Sequence, residues 1–213
     1  MRRVMLISLA LVLALVGWST VGADDGFYVI PSVKKSPPVV VNAGVPKTGQ
    51  TNSYGSAGSD GALQRGVAWP TPRLTDNGNG TVTDNLTGLV WTKRVIGEPS
   101  FGFVTWGAAL SYANTLASGI AGLTDGSKAG DWRLPNIREL KSLLDYGRHD
   151  PALPLSHPFQ YIEPATRQCW TSTTYAGNTN DTNFAWYVHF ADGTTSYINK
   201  VAGLSVLCVR GGP

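Results

Sequence analysis

Basic side chains close to open aromatic rings are the residues of this chain best suited to holding a ligand. Lys93 and Arg94 follow a β-rich run, Arg138 and Lys141 lie three apart in a helical segment, Arg148 and His149 come just beyond it, and Lys200 closes a further β-rich run. Guanidinium and ammonium donors match the oxygens of sulfate or carboxylate, and aromatic faces stack on the apolar faces of sugar rings. Tyr175 and Tyr197, set among Asn, Gly and Thr, are the rings expected to face solvent. The expected ligand-binding set is therefore Lys93, Arg94, Arg138, Lys141, Arg148, Tyr175, Tyr197 and Lys200, with the polar stretch 176–183 as a recognition loop held by strands at both ends. For any one cation the competing reading is a solvated charge, with Arg138 and Lys141 partnered by Glu139 and Asp145.

Bond-making chemistry finds no support. The chain has no Gly-x-Ser-x-Gly elbow, no His-Glu-x-x-His and no phosphate loop, and its histidines are His149, His157 and His189. His189, beside Tyr187 on the second face of a strand, reads as a hydrogen-bonded surface group. Calcium sites need hard oxygen ligands at set spacing. After Asp76 the third and fifth loop positions are Gly78 and Gly80, which supply none from a side chain, and Glu163-Pro164-Ala165 lacks the amide oxygen of a calcium-bridged sugar site. No catalytic residue, metal or cofactor is expected.

Arg2 and Arg3 precede an apolar run from Val4 to Val16, and Val21-Gly22-Ala23 supplies small residues for cleavage. That is the pattern of an export signal over 1–23. The run is about 13 residues, short of the roughly 20 that cross a bilayer, so no stable membrane anchor is expected afterwards. Periplasm, cell surface and medium all remain open as destinations. Loss of the signal leaves 15 Lys plus Arg against 14 Asp plus Glu, so no general attraction to polyanions follows from net charge, any such binding would need a local cluster, and no nucleic-acid partner is expected.

An oxidising destination favours pairing of the two cysteines, Cys169 and Cys208, whose spacing suits neither a metal site nor a reactive dithiol. A disulfide between them would close a loop of about 40 residues, worth about 4 kcal/mol in the chain-entropy model. Cys169–Thr173, Phe184–Gly193 and Leu207–Gly212 read as strands of one closing sheet, with Cys169 and Cys208 on its outer members.

The elements that must position these groups are equally legible. Residues 24–61 are rich in Pro, Gly and Ser and read as a tether or a tail wrapped on a domain that occupies 62–213. Thr81–Asp84 and Leu89–Thr92, separated by Asn85-Leu86-Thr87-Gly88, predict a hairpin. Thr105 caps a helix reaching about Ala117, with Trp106, Ala109, Leu110, Ala113 and Leu116 inward. Asn136 with Glu139 forms a capping box for a second helix, with Ile137, Leu140, Leu143 and Leu144 inward and Gly147 as its stop. In the strand from Phe184 to Phe190 one face carries Phe184, Trp186, Val188 and Phe190. Trp91, Trp106, Trp132, Trp170 and Trp186 are expected in the core, and Arg133 and Arg210 are expected to fix loops. The fold class is α+β, two helices with a mostly antiparallel sheet.

The blocks from Asp76-Asn77-Gly78-Asn79-Gly80 through Leu89-Val90-Trp91, then Asp131-Trp132-Arg133-Leu134-Pro135, Glu139-Leu140, Trp170-Thr171-Ser172-Thr173, Ala185-Trp186-Tyr187-Val188 and Val209-Arg210-Gly211 resemble the DUF1566, or Lcl C-terminal domain, family. The resemblance runs from about Val45 to Pro213. It implies a C-type-lectin-like domain exported by bacteria and related in shape to formylglycine-generating enzymes, whose cysteine chemistry is not expected here. Through the collagen-like adhesin that names the family, it also implies recognition of sulfated glycosaminoglycan by a trimer, although this chain has no collagen repeat. The expected function is a non-enzymatic adhesion or ligand-binding module whose partner is a surface glycan. The alternative is a structural domain that docks to an envelope protein, with homo-oligomerisation open in either case.

Overall fold

Turn chemistry sets the first sheet. In the computed structural model Asp76 Oδ1 accepts from Gly78 N at 3.0 Å, and Gly78 and Gly80 take φ of 72° and 83°, left-handed values that a side chain would strain. That turn joins β1 (Leu74–Asp76) to β2 (Thr81–Asp84), and the expected Asn85–Gly88 turn joins β2 to β3 (Val90–Thr92), with Val82 opposite Trp91. The structure describes residues 44–97, 102–162, 167–177 and 182–211. The expected signal peptide at 1–23 and the tail residues 24–43 lie outside them. Residues 44–61 lie against the domain, where Thr48 O accepts from Tyr146 N at 2.9 Å, and they lead into the short helix α1 (Asp60–Leu63).

A second antiparallel sheet follows in the order β4 (Gln168–Thr174), β5 (Phe184–His189), β6 (Thr195–Asn199). Asp192 and Gly193 turn the chain between the last two, with Asp192 Oδ1 accepting from Thr194 N. The sequence reading is corrected at the chain's closing run. Its strand, β7 (Val209–Arg210), pairs with β3 rather than with β4–β6, placing Val90 opposite Arg210, so the first sheet runs β1-β2-β3-β7. The architecture is thus mixed α and β, mostly sheet.

Helix α2 (Trp106–Thr115) starts where Thr105 Oγ1 accepts from Ala108 N, and buries Ala109, Ala113 and Leu116. Helix α3 (Ile137–Ser142) carries the expected capping box. Asn136 Oδ1 accepts from Arg138 N and Glu139 N at 2.9 Å each, and Glu139 Oε2 accepts from Asn136 N at 2.8 Å. The helix ends at Ser142, well before Gly147, because Leu143 and Leu144 reach the core from the turn that follows and Gly147 N is taken by Asp145 Oδ1. Removing the cap by Asn136→Ala is expected to lower the unfolding free energy by about 1 kcal/mol, read from the urea midpoint. An unchanged midpoint would show that tertiary contacts alone hold α3.

Two apolar clusters organise the interior. One lies where Val82 and Trp91 of the first sheet meet Leu140, Leu143, Cys169, Val188 and Phe190; the other gathers α2, Trp132, Trp170, Ala185 and Cys208. Segment 204–209 runs between them with strand-like alternation, sending Leu207 and Val209 to the first cluster and Leu204, Val206 and Cys208 to the second.

That alternation overturns the expected disulfide. Cys169 faces the first cluster and Cys208 the second, and no disulfide joins them. Both thiols are fully buried, and burial pushes Cys208 up to about 12 and Cys169 upward as well. The tryptophan reading also divides. Trp91, Trp132 and Trp170 are fully buried, whereas Trp106 and Trp186 are only half-buried.

Candidate functional site: an aromatic platform beside a basic helix

The half-buried Trp186 leads to the site. On β5, Phe184, Trp186, Val188 and Phe190 share a face, as the alternation predicts, but Val188 and Phe190 are covered and Phe184 and Trp186 are not. Helix α3 packs on β4 and β5, and Leu140 and Leu143 share a cluster with Val188 and Phe190. β6 places Tyr197 directly opposite Trp186. A bulge in β4, where Trp170 pairs with Tyr187 but Thr174 with Ala185, brings Tyr175 N to Phe184 O at 2.9 Å and its ring onto the same open face. Thr171 Oγ1 donates to Trp186 O inside the bulge at 2.8 Å and holds it in place.

Four rings therefore form one surface. Tyr175 and Tyr197 stack at 3.8 Å between centroids and 14° between planes. Trp186 meets both edge-on, at 5.5 Å from Tyr175 and 5.6 Å from Tyr197, and Phe184 meets Tyr197 edge-on at 5.9 Å. The edge-on contacts are of the kind that is favourable beyond area burial. Tyr197 is 44 % exposed. Its hydrogen bond with Tyr175 holds the Tyr175 phenol above its ordinary value. The chain runs so close to Tyr175 at Gly177 that a Cβ there would overlap the phenol. Gly177→Ala is accordingly expected to displace Tyr175 from the stack, seen as loss of the ring-current shifts of Tyr197 with the unfolding midpoint nearly unchanged. Retained shifts would show that the loop can move instead.

The expected cations do not gather in one place. Lys93 Nζ is paired with Asp76 at 2.6 Å and Arg94 lies over Tyr161 at 4.8 Å, both beside the first sheet. Lys200 Nζ sits over Trp106 at 4.0 Å and donates to Thr174 Oγ1 at 3.0 Å, on the face of β6 away from the platform. Arg138 and Lys141 are exposed on α3, which is tied to β4 just before Tyr175, where Ile137 N donates to Thr173 Oγ1 and Ser172 N to Pro135 O. Their expected acidic partners are engaged elsewhere. Glu139 takes a bidentate contact from Arg133 at 2.7 Å; burial opposes its ionisation, but Arg133 and Asn136 N outweigh burial and hold the carboxyl below its ordinary range. Asp145 lines a separate cavity, and Arg148 is exposed at the turn that follows it. Of the residues singled out from sequence, Tyr175 and Tyr197 thus meet directly, with Arg138 and Lys141 on the neighbouring helix.

Arg133 and Arg210 serve the loops as expected. Arg210 Nη2 contacts the buried Asp125 at 3.0 Å with its guanidinium over Trp132, and Arg133 N and O exchange hydrogen bonds with Val209. His189 Nδ1 lies 3.2 Å from Asp192 Oδ1 at the surface turn. Sequence reasoning missed Phe184 and Trp186, whose half-buried position depends on how the helices and β6 lie against the sheet. The expected recognition loop lies partly outside the described residues, at 178–181.

The model of the Lcl C-terminal domain family matches residues 80–210, and this chain belongs to that family. The match covers β2 through β7, hence the platform, α3 and both cores. Membership suggests a domain of the adhesin type carried by the Legionella collagen-like protein. No curated protein and no solved structure matches the chain.

Proposed function

We propose that this protein is an exported, non-enzymatic adhesion domain that holds a surface glycan on the Tyr175–Phe184–Trp186–Tyr197 platform. The four-ring surface carries this reading. An aromatic cluster left open at a sheet end, while the rest of that face is covered, suits the C–H faces of a sugar ring better than it suits water. Arg138 and Lys141 stand on the adjoining helix, where a sulfate or carboxylate of the same glycan would meet donors with no acidic partner among the described residues. Export through 1–23 and a C-type-lectin-like architecture belong to the same proposal.

A glycan array followed by titration of its strongest hit tests it. Tyr197→Ala is expected to weaken binding by about tenfold and Trp186→Ala by at least as much, with unfolding midpoints little changed because both rings are partly solvated. Arg138→Ala together with Lys141→Ala is expected to remove the salt dependence of binding and leave the platform's contribution. Failure of the wild type to retain any glycan, or full retention by the Trp186 and Tyr197 variants, would shift the reading to an envelope-protein partner.

A further inference from the structure

The tail residues that pack on the domain border an open cavity of about 370 Å³ lined by residues that include Lys47, Gly49, Gln50, Trp69, Asp145 and Leu155. Asp145 is only 7 % exposed, and among the described residues no cation lies within ion-pair distance of it. Its Oδ1 accepts from Gly147 N at 2.9 Å, and the chain passes so close at Gly49 that a Cβ there would overlap this oxygen. Its other oxygen accepts no hydrogen bond among the described residues. The neighbouring cations are Arg73, which donates to Asp84 at 2.8 and 2.9 Å and to Ser142 O at 2.8 Å, and the exposed Arg148, and neither forms an ion pair with Asp145. A carboxylate so placed has one backbone donor and no counter-charge in contact, and burial raises it above the ordinary carboxylate value against the opposing pull of Gly147 N, Arg148 and Arg73. Beside it stand a fixed ring and an apolar ledge. Trp69 Nε1 donates to Lys47 O at 2.8 Å, which sets the indole as a wall, and Leu155 is 73 % exposed.

We propose that this cavity binds a protonated alkylamine, with Asp145 Oδ2 taking the ammonium group and Trp69 and Leu155 packing on the alkyl stem. The geometry pairs a largely buried carboxylate, holding one backbone donor, with an indole and a leucine that line the same cavity, a combination that recognises a cation carrying hydrocarbon and disfavours an anion. Lys47 at the rim is the competing cation. The site is separate from the aromatic platform and stands or falls without it.

Titration of the 15N-labelled full chain with n-butylammonium chloride, a blocked lysine and n-butanol tests this, with the Gly49 and Gly147 amides as reporters. Both amines are expected to give saturable shifts at those amides with half-saturation of about 1–10 mM, and n-butanol none. A blocked lysine as effective as butylammonium identifies a peptide side chain as an admissible source; butylammonium alone restricts the site to free amines. Asp145→Asn keeps an oxygen for Gly147 N and is expected to weaken amine binding about tenfold or more. Lys47→Gln, which removes only a rim charge, is expected to strengthen it about twofold. Equal responses to butanol, an unweakened Asp145→Asn response, or absence of any saturable shift would overturn the proposal.

Discussion

Asp84→Ala is expected to lower the unfolding free energy by about 3–5 kcal/mol, the largest loss for any single polar change in the molecule. Asp84 is fully buried and Arg73 nearly so, joined by a fork of 2.8 and 2.9 Å. The carboxylate also accepts from Leu86 N at 2.9 Å and Thr87 Oγ1 at 2.8 Å, so it organises the β2–β3 turn. Arg73 in turn donates to Ser142 O and ties the first sheet to the end of α3. Truncating the aspartate leaves a guanidinium buried without its counter-charge, one Arg73 nitrogen already lacking a partner. Urea unfolding should show a lower midpoint with an unchanged slope. The double change Asp84→Leu with Arg73→Leu should lose less than the single one, since it leaves no orphan charge. A loss under about 1 kcal/mol for Asp84→Ala would mean that water reaches the pair.

The thiols give the second large effect. Cys169 and Cys208 are each fully buried on opposite sides of segment 204–209, and alkylation needs a solvent-exposed thiolate. Iodoacetamide at neutral pH is expected to label neither in the native protein, with rates suppressed by about a thousandfold or more relative to the urea-unfolded chain. Reductant should leave the unfolding midpoint unmoved. The alkaline side follows from the sign of the shift. Cys208 is raised from an ordinary value of 9.0 to about 12 on folding, so its contribution to stability is intact below pH 9 and is lost as pH rises toward 12. Stability should therefore fall steeply across that window, and Cys208→Ala should flatten the fall. A mass loss of two protons that reductant reverses would establish the disulfide instead.

What the sequence makes legible here is what depends on near neighbours. Asn136 with Glu139, Asp76 with Gly78, and the Asn85–Gly88 turn act within a few residues, and each forms as residue type predicts. Alternation in β5 likewise places Phe184, Trp186, Val188 and Phe190 on one face. It does not say how far that face is covered. Coverage depends on where α3 lies on the sheet, which the bonds of Pro135 and Ile137 to Ser172 and Thr173 of β4 fix and no local pattern records, and so Trp186 is half-buried although it reads as core. Strand pairing is the same problem at greater range. Leu207–Arg210 looks like a partner for β4 and β5, yet Val209 finds Trp91 across a separation that no local pattern records. The misplaced strand carries the misplaced disulfide with it.

Segment 204–209 has a consequence for the order in which the molecule can be made. Leu204 bonds to Val104, Ser205 to Gln168, Val206 to Ile96, and Val209 to Arg133 and β3, so this one stretch stitches elements laid down across more than half of the chain. Nascent chains that have not yet delivered it hold the first sheet and the β4–β6 sheet as halves with unsealed apolar faces. Completion is then expected to wait for this segment, and the Tyr175–Tyr197 platform to gain its rigid backing only with it.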